Sequence, residues 1–224
     1  FSGSAGFAII LKKKNYLFVD GRYTIQAQQE SGKLFKIIEI HKFLPHKIFK
    51  NLTLGFDPSL HTRKQLKAYF GNSLMLKQIN KNLIDEIFKE KNPKTKIFFS
   101  LNSEVAGQTF KSKINKIKNV LKLNKVDYLF VSAPENVAWL LNIRGSDNPD
   151  SPIPNCRLII GKNKGLFLIT QKEKASKIIK DKKLTKKQIV NPEKFEDLIK
   201  KLTGNKFIID PLSCSVFNEN IIKS

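Results

Sequence analysis

Short apolar runs alternate with amphipathic stretches along the whole chain, and this alternation is the pattern of an α/β protein. Near the N-terminal end, the runs FAIIL (7–11) and YLFVD (16–20) flank the polar segment KKKN, which predicts a β-hairpin. Gly21 then ends the second strand, and TIQAQQ opens a helix. The chain therefore begins as a sheet with a helix packed on it.

The rest of the first half continues this alternation. Further elements are predicted, in chain order, as strands at 34–40, 52–57 and 74–79 and a helix at 83–88. Ser59 is predicted to cap another helix, because its hydroxyl can accept a free amide proton of the first turn. The apolar face of that helix is formed by Leu66, Tyr69 and Phe70.

A second α/β region follows an irregular stretch at 89–107, in which proline, serine and glycine interrupt the pattern. We predict a domain boundary near residue 104, which gives domains at 1–103 and 104–224. After the boundary, apolar residues recur at three- and four-residue spacing over 110–121 and predict an amphipathic helix. The lysines of this helix are expected on its opposite, solvated face.

The second half repeats the order of elements in the first. RLIIGKNKGLFLI followed by TQKEKASKII predicts strand, tight turn, strand and helix, as does FAIILKKKNYLFVD followed by TIQAQQ. KFIIDPLSCSVFNENI likewise repeats the strand, Asp-Pro, serine cap and helix of LTLGFDPSLHTRKQLKAYF. The offsets are nearly equal, 149 residues from Phe18 to Phe167 and 153 from Asp57 to Asp210. We therefore predict two tandem copies of one α/β domain, each a mixed β-sheet flanked by helices.

The segment NVAWLLNIRGSDNPDSPIP (136–154) joins a predicted strand to the next through a short apolar run and a proline-rich loop. The residues WLL at 139–141 are expected in the core, with the tryptophan anchoring a helix. One interpretation is that the helix ends at Gly145 and a stiff connection follows. The other is a loop that reaches into an active site, since Arg144 occurs there in a chain that uses lysine almost everywhere else.

The formal net charge of +22 points towards nucleic acid, but the composition argues against specific binding. Only four of the 41 basic residues are arginine, whose planar fork is suited to reading bases and phosphates. The lysines are scattered through every segment, and the sequence contains no RNP, KH or zinc-finger motif. No apolar run approaches the length of a membrane span, so no membrane partner is expected either.

The cysteine and histidine patterns exclude two further classes of protein. Cys156 and Cys214 are too few for a disulfide framework and indicate a reducing compartment, which favours the cytoplasm. His41, His46 and His61 lie far from both cysteines in the sequence and are expected to be ordinary surface or loop residues. No zinc site is predicted from them.

The first candidate functional loop is DGRY at 20–23. It lies where a predicted strand ends, the usual place of ligand contacts in an open α/β sheet, so Arg22 and Tyr23 are candidate binding residues. In the alternative interpretation, Asp20 and Arg22 only fix the turn and the helix start. The preceding GSAG (3–6) is expected to be a tight structural turn, because it lacks the spacing of a phosphate-binding loop and precedes a strand.

The second candidate loop carries Glu135, Arg144, Asp147 and Asp150. Two carboxylates near an arginine could serve general acid chemistry, whereas the commoner outcome is a structural ion pair. The sequence offers no Ser-His-Asp or Cys-His arrangement for nucleophilic catalysis.

Three motifs together resemble one family. GSAG, FVDGRYTIQAQQ and ENVAWLLNIRGSDNPDSPIP resemble, in this order and separation, the non-catalytic front part of aminopeptidase P, the Xaa-Pro aminopeptidase of the creatinase and prolidase superfamily. The resemblance implies two creatinase N-terminal-like domains, the first without its opening segment. It also implies that a catalytic "pita-bread" domain with two divalent metal ions, typically manganese, is missing after Ser224. The chain itself would then hold no metal ion and no catalytic residue.

By this resemblance, the parent protein removes an N-terminal residue linked to proline, and the chain alone is inert. Its domains would restrict entry to short proline-containing peptides and support a homodimer, with the parent's own catalytic domain as a partner. Arg22, Tyr23, Arg144 and Asp147 would face the substrate or that domain, Arg144 by holding a carboxylate or as a structural clamp across the junction. The rival hypothesis is a stand-alone basic module for acidic partners, and the reading frame beyond Ser224 distinguishes the two.

Overall fold

A computed structural model describes residues 1–79, 81–88, 95–148, 150–204 and 206–224. Within it the chain forms two compact units. The first contains Phe1–Phe56 and Gln65–Gln78, and the second contains Asp57–Lys64 and Ile79–Ser224. The predicted boundary between residues 103 and 104 falls inside the second unit and stays a prediction. Part of the predicted irregular stretch, 89–94, lies outside the described residues.

The first unit is built on a three-stranded sheet. The helices and strands up to residue 78 are, in chain order, β1 (Gly6–Ile10), β2 (Asn15–Val19), α1 (Thr24–Ser31), β3 (Phe35–Glu39), α2 (Pro45–Ile48), β4 (Thr53–Phe56), α3 (Arg63–Phe70) and β5 (Met75–Gln78). The sheet has the order β1-β2-β3, with β1 antiparallel and β3 parallel to β2. The parallel connection requires a crossover, which α1 provides. The strands β4 and β5 form a separate parallel pair.

The buried part of the central strand β2, residues 17–19, is apolar because both of its faces are covered. Val19 packs with Ala27 of α1 on one face, and both side chains are inaccessible to solvent. Phe18, also fully buried, stacks on the ring of Phe7 at a centroid distance of 5.0 Å. The predicted hairpin over 7–20 and the helix after it are confirmed.

The second unit contains a larger, mixed sheet. The elements that follow residue 78 are α4 (Leu83–Ile87), β6 (Phe99–Ser100), α5 (Ser103–Ala106), α6 (Phe110–Leu123), β7 (Tyr128–Val131), α7 (Pro134–Leu141), β8 (Ile143–Arg144), β9 (Arg157–Gly161), β10 (Leu166–Ile169), α8 (Ser176–Lys180), β11 (Ile189–Val190), α9 (Phe195–Lys201), β12 (Phe207–Ile209) and α10 (Val216–Lys223). Five of these strands form one sheet in the order β11-β10-β9-β7-β12. The pairs β7/β12 and β10/β11 are parallel, whereas β9 is antiparallel to both of its neighbours.

Two apolar layers cover the faces of this sheet. Leu158 and Ile160 of β9 belong to the core cluster that includes residues of α6, α7 and α8. Ile159, between them, points to the opposite face and joins the cluster of Phe130 and Phe195. Because both faces are buried, residues 158–160 of β9 form a continuous apolar run. The predicted fold class, mixed sheets flanked by helices, is confirmed.

The same strand arrangement occurs in both units. β1-β2-α1-β3 is an antiparallel hairpin followed by a helix and a parallel third strand, and so is β9-β10-α8-β11. This agreement favours an internal duplication. The duplication itself, with its offsets of 149 and 153 residues, stays a prediction.

Two local expectations are wrong. Ser59 does not cap α3, because the helix begins only at Arg63; the amide of Ser59 instead donates to Asp57 Oδ1 at 2.7 Å and closes a turn. The helix α7 ends at Leu141, not at Gly145, since Asn142 adopts a left-handed conformation (φ 49°, ψ 50°) and stops it. Among the described residues, no helix is sufficiently long and apolar to cross a membrane.

We expect Leu158→Ala to lower the free energy of unfolding of the second unit by about 2–5 kcal/mol, because Leu158 is fully buried and its removal leaves a cavity. Leu123→Ala is the matched control, since Leu123 is 83% exposed and should change stability by at most about 0.5 kcal/mol. Urea unfolding followed by the emission of Trp139, the single tryptophan of the chain, measures this unit. Equal losses for both variants would contradict the described core.

Candidate functional site

In the first unit, the loop after β2 is closed by its own side chains. Asp20 Oδ1 accepts hydrogen bonds from the Arg22 backbone amide at 3.0 Å and from Arg22 Nε at 2.8 Å. These bonds hold the pKa of the Asp20 carboxyl well below its usual range, and the carboxylate raises the pKa of Arg22. The Arg22 side chain remains 73% exposed, so the pair fixes the turn and leaves much of the guanidinium accessible.

Tyr23 connects this turn to the GSAG loop. Its hydroxyl lies 2.6 Å from Ser4 Oγ, and its ring contacts the ring of Phe1 edge-on at a centroid distance of 6.1 Å. The guanidinium carbon of Arg22 lies 5.5 Å from the Tyr23 ring centroid. Two motifs that are separated in the sequence are thus joined in one cluster within the first unit.

In the second unit, the candidate loop begins at the C-terminal end of α7, which is surrounded by three cations. Lys113 Nζ donates to Trp139 O at 2.8 Å and to Asn142 Oδ1 at 2.7 Å. Lys183 Nζ donates to the carbonyls of Leu141 and Asn142 at 3.0 and 2.8 Å. Arg144 Nη1 donates to its neighbour's carbonyl, Ile143 O, at 2.9 Å. We call Lys113, Lys183 and Arg144 the cationic cap.

Lys113 and Lys183 donate to carbonyls at the end of the helix, and the three cations complement the negative end of the helix dipole. This arrangement brings one buried and two half-buried like charges together. Lys113 is only 3% exposed, and its pKa is lowered by burial and by the charge of Arg144. Burial also lowers the pKa of Lys183, and the charge of Lys113 contributes to this lowering. The expectation that the α6 lysines are all solvated is therefore wrong for Lys113.

Arg144 differs from the two lysines in its free hydrogen-bonding capacity. Among the described residues it forms no ion pair, and its Nε and Nη2 atoms donate to no partner. Its backbone is held in β8 by antiparallel pairing with Phe99 of β6. The next residue, Gly145, fits because a Cβ there would lie 2.8 Å from Pro154 Cα. Arg144 is thus a guanidinium with free donors on a fixed frame.

Asp147, the other candidate of this loop, is fully engaged inside the unit. Its Oδ1 lies 2.6 Å from Lys174 Nζ, and its Oδ2 accepts the backbone amide of Asn155 at 2.6 Å. The two paired side chains are 16% and 15% exposed, for Lys174 and Asp147 respectively. The structure therefore does not pair Asp147 with Arg144; the carboxylate fastens the loop to the chain around it.

The loop also forms one wall of an open pocket of about 400 Å³. Its lining residues are Lys96, Phe99, Gly145, Ser146, Asn148, Asp150, Ser151 and Pro152. The pocket therefore lies beside the β6/β8 pair that holds Arg144, and Asp150 contributes a carboxylate to it. Pro149, one of the three loop prolines, lies outside the described residues.

Trp139 is not a core residue, although Leu140 and Leu141 are buried as expected. Its side chain is 58% exposed, and Lys113 Nζ lies 4.0 Å from the centroid of its ring. Sequence reasoning missed Lys113, Lys183 and Asn142 as members of this site. A signal was available for Lys113, because it precedes Ile117 by four residues and so shares the buried face of α6.

Nucleophilic and metal chemistry find little support in the described parts of the chain. Burial raises the pKa of the Cys156 thiol to about 12 and that of Cys214 to about 11, so both remain protonated and unreactive at neutral pH. No group of three or more His, Cys, Asp or Glu side chains that could hold a metal ion occurs among the described residues. These residues do not fit a two-metal centre.

The comparison with protein families identifies the class. The model of the creatinase/prolidase N-terminal domain matches residues 89–224, which is more than half of the chain. The chain therefore belongs to the creatinase/prolidase N-terminal domain family.

Individual relatives carry aminopeptidase names. The chain is 34% identical over 172 residues to a probable Xaa-Pro aminopeptidase P of Laccaria bicolor, covering 68% of this chain and 26% of that protein. It is 30% identical over 196 residues to aminopeptidase P1 of Lotus japonicus, covering 80% of this chain and 29% of that protein. The chain thus spans little more than a quarter of the length of these relatives.

A solved structure is similar over most of the chain. It is the X-prolyl aminopeptidase of Caenorhabditis elegans, described as a cytosolic enzyme with a di-nuclear active site. The TM-score is 0.73 at 26% identity, and the match covers 89% of this chain and 35% of that one. The resemblance to aminopeptidase P that the motifs indicated is confirmed.

We expect Asn142→Ala to destabilise the second unit by roughly 3 kcal/mol or more. The change leaves the buried ammonium of Lys113 without one hydrogen bond and places a Cβ-bearing residue with no local partner in the left-handed region. Asn142→Gly is the control. It removes the same side-chain hydrogen bonds, but glycine adopts the left-handed backbone conformation without strain, so the loss of stability should be about 1 kcal/mol smaller. Urea unfolding measures both, and a loss below about 1 kcal/mol for the alanine variant would argue against the cationic cap.

Proposed function

We propose that the chain is the N-terminal, non-catalytic part of a cytoplasmic Xaa-Pro aminopeptidase, a hydrolase that removes an N-terminal residue linked to proline. Membership of the creatinase/prolidase N-terminal family and the names of the relatives support this proposal. Family membership alone does not define an activity, so the role of the chain depends on its site. Two divalent metal ions, manganese in our proposal, would be held by residues outside this chain.

The observation that carries the proposal is the free guanidinium of Arg144. A lysine would supply the same net charge, and lysine is used at 37 of the 41 basic positions. An arginine whose Nε and Nη2 remain free on a fixed frame is suited to a two-pronged contact with a carboxylate or with backbone carbonyls. We assign that contact to a peptide substrate or to the neighbouring catalytic domain.

The other candidates take supporting roles in this proposal. Asp147 holds the Arg144 loop through Lys174 and positions the guanidinium without touching the substrate. Arg22 and Tyr23 present an exposed, preformed surface on the first unit to the catalytic domain or to a peptide. Together the two units would limit entry to short peptides and support assembly into a homodimer.

We expect Arg144→Lys to lower kcat/KM for Xaa-Pro peptides by about tenfold or more when it is introduced into the complete open reading frame. This corresponds to the roughly 1.5–3 kcal/mol of a hydrogen bond to a charged group. In the 224-residue chain, the same change should alter stability little, because a lysine can replace the contacts of Nη1 to Ile143 O at 2.9 Å and to Ala138 O at 3.5 Å. The 224-residue chain itself should not hydrolyse these peptides.

Arg63→Lys is the matched control for this experiment. Arg63 is already engaged, with Nε 3.0 Å from Glu219 Oε2 and Nη2 donating to Asn220 Oδ1 at 2.6 Å. Its replacement should leave turnover within about twofold while lowering stability modestly. A large loss of stability for Arg144→Lys with unchanged turnover would make Arg144 an internal clamp and overturn its assignment.

A further inference from the structure

A second pocket of the second unit lies along α7, on the side of the helix that carries Asn136, Trp139 and Leu140. It has a volume of about 240 Å³ and is formed where the parallel strands β7 and β12 end, beside α7. Its lining is formed by 129–133, Asn136, Trp139, Leu140, Asp210 and Ser213. The carboxyl ends of parallel strands are the usual binding edge of an α/β sheet. We call this cavity the Asp210 pocket.

The hydrogen bonds in the Asp210 pocket have a fixed direction. Ser213 Oγ donates to Asp210 Oδ2 at 2.8 Å, because a carboxylate can only accept. Ser132 Oγ lies 2.8 Å from Ser213 Oγ and must be the donor, since Ser213 has already used its single proton. No donor to Ser132 Oγ occurs among the described residues, although the residue is 92% buried. The hydroxyl oxygen of Ser132 is therefore available only as an acceptor.

The charge of the Asp210 pocket is unusual for this chain. Three other surface pockets are each lined by at least one lysine, in accordance with the net charge of +22. The Asp210 pocket is lined by one carboxylate and by no basic side chain. Lys113 approaches the Trp139 ring but is not among the lining residues. Acceptors and a negative charge are thus concentrated in a cavity with apolar walls.

The N-terminus of α7 does not make the Asp210 pocket favourable for anions. A helix N-terminus ordinarily favours anions through its free amides. Here Pro134, at the first position, has no N–H to offer, and Glu135 places a carboxylate in the first turn. The N-terminal end of α7 is therefore already compensated.

We propose that the Asp210 pocket binds a primary ammonium group carried on a short apolar chain. The ammonium would donate to Ser132 Oγ and to the Asp210 carboxylate, and its carbon chain would lie against Leu140 and the exposed ring of Trp139. This chemistry has two natural sources, a lysine side chain and the N-terminus of a peptide. The inference is independent of any peptidase activity.

Four small probes added to the 224-residue chain test the inference. Butylammonium represents a lysine side chain and alaninamide a peptide N-terminus, while butanol and butyrate are the neutral and anionic counterparts. Trp139 reports binding directly, because it lines the pocket and supplies the single indole N–H signal and all tryptophan emission. At neutral pH we expect at least one amine to shift these signals with an affinity at least tenfold above that of butyrate. The amine that binds more tightly identifies the source.

Two variants test which groups hold the ammonium. Asp210→Asn should weaken amine binding by tenfold or more, and Ser132→Ala should weaken it severalfold. Asp57→Asn is the matched control. Asp57 begins an Asp-Pro turn of the same kind, in which its Oδ1 accepts the Ser59 amide as Asp210 Oδ1 accepts the Leu212 amide. The substitution changes the net charge by the same amount but lies outside the pocket. It should leave amine binding unchanged.

The inference is overturned if neither amine shifts the Trp139 signals, if butyrate binds as tightly as the amines, or if Asp57→Asn weakens binding as much as Asp210→Asn. The comparison of amine with butyrate on the unaltered chain decides the question even if Asp210→Asn fails to fold. Circular dichroism identifies that case.

Discussion

The second unit depends on how the carbonyls at the C-terminal end of α7 are satisfied. The helix is short and is stopped by the buried, left-handed Asn142, so its last carbonyls have no further turn of helix to pair with. Lys113 from α6 and Lys183 from the turn after α8 donate to them instead. These bonds join α6, α7 and the segment after α8 at one point. They also determine where β8 starts, and therefore where Arg144 and its loop lie.

The capping by lysines places ammonium groups where burial and neighbouring cations make a positive charge unfavourable. The pKa values of Lys113 and Lys183 are lowered because burial and neighbouring cations disfavour the ammonium form. The lowered pKa values have a definite effect on stability. Keeping the two lysines protonated costs more free energy in the folded than in the unfolded state, so the free energy of unfolding rises as the pH rises towards their unfolded pKa. Arg144 is the member of the cap with free donors. A structural cap and a guanidinium with free donors are thus built from one cluster.

The two ends of α7 carry opposite chemistry. Cations surround its C-terminal end, whereas Glu135 places a carboxylate in its first turn. Both arrangements complement the helix dipole, and both lie within the region that matches the creatinase/prolidase N-terminal family. The large positive charge of the chain is therefore a poor guide to its sites, since it is spread over the surface while the candidate sites depend on individual side chains.

The sequence determined the strands, because the apolar runs of β2 and β9 are too short for helices and are bounded by polar turns. It also determined the family, because the motifs around Arg22 and Arg144 retain their order and spacing. Only the tertiary structure decided that Lys113 is buried, that Trp139 is exposed and that Asp147 pairs with Lys174. Local patterns specify which face of an element is apolar. They do not specify which distant carbonyl or charge will meet a given side chain, since such partners are brought together only when the elements pack.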